Sequence, residues 1–169
     1  MKELKIEEFG ENVFSLIGKE WMLVTAGTID SYNMMTASWG GIGWLWNKPV
    51  AFVFIRPERH TYGFIENAEK MTLSFLGDDE KMRKLYGLLG SKSGRDINKM
   101  QVEGLTPVAA DCGSVRYEEA RLTLECRKLF VTDMKDSCFV DKSLLDWYGA
   151  KGGMHRVYVV EIEKILAKE

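Results

Sequence analysis

The 169-residue sequence predicts a mainly β chain, an antiparallel barrel carrying a few short helices. Three observations predict it. Runs of strand length, apolar or alternating, outnumber runs with helical spacing. Strands and helices are not interleaved in the regular β-α-β order of a doubly wound sheet. A hydrophobic share of 46% and a charged share of 28% suit a folded chain with a core of its own, so residues 1–169 are expected to form a single domain.

In chain order, residues 4–20 read as a polar lead-in with a short helical turn. Trp21–Ala26 (WMLVTA) is apolar and β-branched, hence a strand, and Gly27-Thr28-Ile29-Asp30 marks the turn after it. Asn33–Trp39 and Gly40–Trp46 are extended segments, and Val50–Ile55 is a central strand. Thr61–Ala68 is expected to be a short helix, because Tyr62 and Ile65, and Phe64 and Ala68, stand at helical spacing. Met71–Phe75 (MTLSF) alternates as a strand does. Asp78–Leu89 has an acidic start, a stripe of Met82, Leu85 and Leu89, and Gly90 as a stop, which predicts a helix. A polar loop, SKSGRDINKM, follows. Leu122–Phe130 and Val157–Ile165 complete the strands, the latter alternating until Lys164.

Several function classes are disfavoured. The net charge of -2 gives no basic excess to draw the chain onto nucleic acid or anionic lipid. The longest apolar run, Pro49–Ile55, is far short of a membrane span, and the opening MKELKIEEFGEN lacks the apolar segment of a signal peptide. Three cysteines (Cys112, Cys126, Cys138), without C-x-x-C spacing and with only two histidines, make a poor zinc site and a poor disulfide framework. Each is expected to be a buried, inert thiol in a reducing, cytoplasmic compartment. Gly40-Gly41-Ile42-Gly43 does not meet G-x-G-x-x-G, Gly90-Ser91-Lys92-Ser93 lacks the Gly-Lys-Ser/Thr of a P-loop, and neither G-x-S-x-G nor H-E-x-x-H occurs.

The chemistry concentrates in residues 33–61, NMMTASWGGIGWLWNKPVAFVFIRPERHT. Along its first segment Asn33, Thr36 and Ser38 are interspersed with Met35, Ala37 and Trp39, which gives one wall both apolar groups and accessible main-chain amides. A flat amphipathic heterocycle needs such a wall. Arg56, Arg59, His60 and Thr61 lie at the end of a strand and before a helix, where guanidinium groups and free helical amides suit a phosphate. Ser91-Lys92-Ser93-Gly94-Arg95 is a second cluster of hydroxyls and cations. A ring at one end and a phosphate at the other describe a flavin mononucleotide. Each piece has a plainer alternative: tryptophans packed in a core or a dimer face, arginines in surface ion pairs, an ordinary exposed loop.

The order of the pieces carries more. WMLVTAG, N-x-M-T-A-S-W-G, W-x-K-P-V, R-P-x-R-x-T, S-x-S-G-R-D-x-x-K, G-L-T-P and H-R-V-Y-V-x-E-I, running from Trp21 to Ile165, resemble the flavin reductase-like, FMN-binding split-barrel family. The branch most resembled is that of flavoredoxin and NAD(P)H:flavin oxidoreductases. The resemblance implies a six-stranded antiparallel split β-barrel with extra helices, a homodimer, and FMN near the subunit interface. It implies that Asn33, Met35, Thr36, Ala37, Ser38 and Trp39 line the isoalloxazine, and that Arg56, Pro57, Arg59, His60 and Thr61 hold the phosphate and ribityl end. Ser91, Lys92, Ser93 and Lys99 would complete the pocket. NAD(P)H would be the co-substrate, with a free flavin, a redox partner protein or oxygen as acceptor.

Two departures stand out. Lys151-Gly152-Gly153-Met154 has no acidic residue before His155, and Ile97-Asn98 precede Lys99 where an aspartate is common. His155 is the one candidate for an assisting hydrogen-bond donor, with a structural histidine at a strand start as its alternative. An FMN electron carrier without efficient NAD(P)H oxidation, and a haem-binding dimer using the same barrel, are the competing functions.

Overall fold

The computed structural model describes residues 1–149 and 152–168; Ala150, Lys151 and Glu169 lie outside the described residues, and with them the first residue of the run before His155. Among the described residues the strands are β1 (Lys2–Leu4), β2 (Met22–Thr28), β3 (Ser31–Ala37), β4 (Gly40–Leu45) and β5 (Lys48–Ile55). They continue with β6 (Lys70–Phe75), β7 (Pro107–Ala109), β8 (Val115–Tyr117), β9 (Leu122–Asp133) and β10 (Arg156–Ala167). The helices are α1 (Val13–Ser15), α2 (His60–Asn67) and α3 (Glu80–Ser91). No helix among the described residues is long and apolar enough to cross a membrane.

The main sheet is antiparallel throughout and runs β3-β2-β6-β9-β10-β5-β4, with β1 paired to the far end of β10. β3 and β4 are the two ends of that path, yet only Ser38 and Trp39 separate them in the chain. Three residue steps reach about 11 Å at most, so the sheet has to roll until its edges approach. Among the described residues no pairing between β3 and β4 closes the ring, and the result is the split barrel that the family resemblance implies. Seven strands make up the rolled path, with β4 continuing the ladder beyond β5.

Alternation decides what fills the barrel. Met22, Val24 and Ala26 of β2, Met71, Leu73 and Phe75 of β6, and Leu122, Leu124 and Cys126 of β9 belong to one buried cluster. Ala51, Val53 and Ile55 of β5 and Tyr158, Val160 and Ile162 of β10 join them. A register shift between Ile162 and Lys164 lets Ile165 turn inward as well. A second cluster lies outside the barrel, where α3 presents Met82, Leu85, Tyr86 and Leu89 to Leu23 of β2 and Met34 of β3. α3 starts at Asp79, whose carboxylate accepts from the Met82 amide at 3.0 Å, and it runs to Ser91, one residue past the expected glycine stop.

Local signals explain the turns. β2 and β3 pair through Thr28 and Ser31 across the two residues Ile29-Asp30, and Gly27 takes φ 108°. A Cβ on Gly27 would lie 2.3 Å from the Ser31 carbonyl oxygen, so no other residue fits there. The β4–β5 turn is Trp46-Asn47, both left-handed at φ 52° and 55°, the geometry of a tight hairpin.

The structure also corrects the expectations. The short strands β1, β7 and β8 and the turns Asp136–Cys138 and Lys142–Tyr148 were not anticipated, because three-residue pairings and 3-10 turns carry no hydrophobic period. β9 and β10 are each twelve residues, longer than their apolar cores. Of the thiols expected to be buried, Cys126 is; Cys112 is half-buried, and Cys138 is exposed in its 3-10 turn.

Candidate functional site

The end of β3, the end of β5, the start of α2 and the loop after α3 surround two adjoining hollows. One, of about 270 Å³, is lined by Asn33, His60, Thr61, Ser91, Lys92, Ser93 and Lys99. The other, of about 300 Å³, is lined by Thr36, Ala37, Ser38, Trp39, Phe54 and His155. Met35, Arg56 and Arg59 belong to both, which makes the two hollows one trough. Residues from 33 to 155 are thus brought together as the sequence order suggests, with one exception. Pro57 lies on the wall of a different, larger groove.

The first hollow is cationic. Lys99 is only 5% exposed, and its ammonium donates to the carbonyls of Met34 at 3.0 Å and Leu89 at 2.7 Å. Burial, and then the charge of Arg59, push its pKa down to about 8. The Arg59 guanidinium donates to the Gly90 carbonyl at 3.1 Å, and Arg95 donates to that of Glu58 at 3.0 Å. Among the described residues none of Arg56, Arg59, Lys92, Arg95 and Lys99 forms an ion pair. Asn33 and Thr61 are buried and joined, the amide donating to the hydroxyl at 2.7 Å. Arg59 precedes α2, whose first amides have no intrahelical partners, so the helix end adds to the positive potential. Desolvation, Arg95 and Lys99 lower the His60 pKa.

The second hollow is aromatic. Trp39 meets His155 and Trp147 edge-on at 5.4 and 5.5 Å, and Phe54 meets His155 at 6.2 Å. The Tyr148 hydroxyl lies 2.7 Å from His155 Nδ1, and the Arg56 guanidinium sits 5.0 Å over the Tyr148 ring while donating to the Trp147 carbonyl. His155 is 7% exposed; burial, with Arg56 next, pushes its pKa down to about 4, so the ring is neutral at pH 7. β3 is an edge of the hydrogen-bonded path, so the outward amides and carbonyls of Met35–Ala37 have no strand partner on that side.

Sequence reasoning missed Phe54, Glu58, Leu89, Asp96 and the Trp147–Tyr148 cover. Arg95, named in the Ser91–Arg95 cluster but not among the expected cofactor contacts, lines the first hollow as well. Trp147 and Tyr148 come from a segment of 3-10 turns, and only their aromatic character could have flagged them. Conversely Trp44 and Trp46, close to Trp39 in sequence, stay at the β4–β5 hairpin away from the trough.

Comparison with curated proteins gives no match. Solved structures share the fold. An FMN-binding protein from Thermus thermophilus, solved with p-hydroxybenzaldehyde, is 21% identical with a TM-score of 0.70, covering 100% of this chain and 83% of its own. Flavoredoxin from Methanosarcina acetivorans is 17% identical, TM-score 0.70, with 100% and 77% covered. The NADH:FAD oxidoreductase SgcE6 from Streptomyces globisporus, solved with NAD and FAD fragments, is 15% identical, TM-score 0.64, with 88% and 74% covered. The family model for the flavin reductase-like domain matches residues 14–169, and the chain belongs to that family.

Proposed function

We propose that the trough binds FMN and that the chain, a single domain, is an oxidoreductase that passes hydride from NAD(P)H to the flavin and electrons onward to a flavin or protein acceptor. The observation that carries this reading is the union of a cationic hollow and an aromatic hollow through Met35, Arg56 and Arg59. The buried Lys99 ammonium tests the fit. It is held by two carbonyls and no carboxylate, and a buried cation left so costs free energy that an anion would recover. A phosphate fits there. The combined volume lies in the range of small-molecule sites.

Bound FMN would supply the acceptance and release of electrons. Arg56, Arg59, His60 and Thr61 would hold its phosphate and ribityl end together with Ser91, Lys92, Ser93 and Lys99, and Pro57 would act only by fixing the backbone between the arginines. Asn33 and Met35–Trp39 would line the ring through main-chain groups and the Trp39 face. His155, neutral and tied at Nδ1 to Tyr148, would offer Nε2 for one hydrogen bond and no charge. The three unpaired thiols agree with a reducing, cytoplasmic setting. A homodimer belongs to the same reading, supported by the exposed aromatic side chains of Trp44, Trp46 and Phe130.

A carrier function without efficient NAD(P)H oxidation is favoured by one observation. Trp147 stands against Trp39 at the aromatic hollow, where a nicotinamide would have to stack. The visible spectrum of the purified protein, before and after anaerobic NADH and then NADPH, separates the two. A flavin spectrum that bleaches within seconds supports the reductase, and one that persists with both nucleotides supports the carrier. A colourless protein that takes up no added FMN overturns both.

A further inference from the structure

Arg56 and Arg59 line both hollows, yet they are anchored on opposite sides of the trough. Arg59 is exposed, and its guanidinium donates to the Gly90 carbonyl, next to the loop that walls the cationic hollow. Arg56 is half-buried and tied to the aromatic side. Its guanidinium donates to the Trp147 carbonyl at 2.6 Å and lies 5.0 Å over the Tyr148 ring, whose hydroxyl meets His155. A Cβ on Gly152 would come within 2.7 Å of Arg56 Nη1 and 2.5 Å of Glu58 Oε1, so the chain before His155 closes directly over the guanidinium. The electrostatics divide in the same way. After burial, Arg59 is what lowers the Lys99 pKa, whereas Arg56 comes ahead of Arg59 in lowering that of His155. The titratable and charged groups around Arg56 are thus Tyr148, His155, Glu58 and Arg59, and among the described residues it forms no ion pair with any of them.

We infer that Arg56 is a catalytic residue of the ring end: its fixed positive charge, held against the Trp147–Tyr148 cover, stabilises the flavin once the ring has taken up electrons. The inference rests on the flavin reading of the trough proposed above, and it holds for a reductase and for a carrier alike. A hydride brings two electrons and one proton, so a neutral oxidised ring becomes an anion when it accepts one. The cations on the wall of the aromatic hollow are Arg56 and Arg59, and Arg59 is turned to Gly90, while His155 is neutral at pH 7. That leaves Arg56 as the charge held on the side where the negative charge develops. It is fixed there by a carbonyl, an aromatic face and the overlying Gly152, and a preorganised charge in a half-buried site acts more strongly than a mobile one in water. A phosphate keeps its charge through the redox change, so a residue that grips only the phosphate holds both forms of the flavin equally. A residue that faces the ring holds the reduced form better, and that difference is measurable.

The test is the midpoint potential of bound FMN, read from the visible spectrum during anaerobic titration with dithionite against reference dyes, together with the Kd of oxidised FMN for flavin-stripped protein. Arg56→Gln is expected to lower the potential by about 30 mV or more, a tenfold weaker hold on the reduced form relative to the oxidised one, with the oxidised Kd within about threefold of the parent. Arg59→Gln should weaken both forms about tenfold and leave the potential in place. Arg56→Lys keeps the charge and should restore at least about half of the shift. Equal weakening of both forms by Arg56→Gln overturns the inference and leaves Arg56 with the phosphate set alone. A shift that Arg56→Lys does not restore overturns it too, because the effect would then come from the Trp147–Tyr148 cover and not from the charge. The parent chain supplies a second measurement that a folding defect in a variant cannot spoil. The proton on the bound reduced ring, followed in the near-ultraviolet spectrum, should come off at least about one pH unit lower than in free reduced FMN, since a nearby cation favours the anion. An equal or higher value overturns the inference even if no variant folds. A parent chain that binds no FMN overturns the trough reading as well, whereas ordinary FMN binding without these shifts overturns the role of Arg56 alone.

Discussion

Two residues in the trough have charge states set by burial, and each yields a measurable pH dependence. Lys99 loses its proton near pH 8 in the free protein, because desolvation and Arg59 both disfavour the ammonium. A phosphate bound beside it favours the charged form, so binding above that pH must take up a proton. FMN affinity is therefore expected to be flat from pH 6.5 to 7.5 and to fall about tenfold per unit well above pH 8. Titrations at pH 7 and 9.5 check this, and Lys99→Met should bind more weakly at pH 7 with the slope removed; an unchanged slope would place the phosphate elsewhere. His155 works in the opposite range. Its folded pKa of about 4 lies below the usual histidine value, so the unfolded chain takes up a proton, as pH falls through 6.5, that the folded chain refuses until about 4. Stability is thus present above 6.5 and is lost across that window, by up to about 3 kcal/mol. Denaturant midpoints from pH 7 to 4 should fall steeply for the parent chain and less for His155→Gln, with His60, also lowered, leaving a smaller slope of the same sign.

The loop after α3 shows how an element can be placed by one small residue. Gly94 sits where a Cβ would come within 2.3 Å of the Asn33 side-chain oxygen and 2.6 Å of the His60 ring. Its smallness lets the Ser91–Arg95 loop close on β3 and α2 while Asn33 keeps its bond to Thr61. Gly94→Ala should push that loop outward. FMN affinity is expected to drop at least about tenfold while the thermal midpoint moves by only a few degrees, since the loop lies outside both cores. Calorimetry and flavin titration on the same sample decide it; a large loss of stability with unchanged affinity would make Gly94 a folding residue only. The same loop marks how far sequence reading goes. Its Ser, Lys and Arg residues were legible as a cluster because charge and hydroxyl groups announce themselves, and β2, β5, β6 and the α3 stripe were legible because period carries over distance. Phe54 was hidden inside an apolar run, and Trp147 and Tyr148 belong to turns without a period. Nothing local says that a segment near residue 147 will lie across Trp39; that contact depends on how β9 and β10 return to the barrel mouth.

At the scale of the molecule the unresolved demand is the outer surface of the barrel. Trp44 is 63% exposed, Trp46 56% and Phe130 47%, and Trp46 packs edge-on against Phe130 at 6.1 Å. Trp46 does so from a left-handed backbone, which costs a bulky residue on the order of 1 kcal/mol. Asparagine or glycine would occupy that turn at lower cost, so folding alone does not account for an indole there. β4 is also the free end of the hydrogen-bonded path, and an uncovered apolar edge strand invites a partner. A symmetric dimer is the commonest way for one chain to cover such a surface. Light scattering should give twice the 19.3 kDa chain mass for the parent protein and the single mass for Trp44→Glu/Trp46→Glu. Because these side chains lie away from the trough, the FMN affinity of that monomer reads the architecture directly. A loss of about tenfold or more would mean that the partner helps to build the flavin site, and full affinity would mean that each barrel holds its flavin alone. A parent protein that runs as a monomer at micromolar concentration would leave the surface for a redox partner and overturn the dimer.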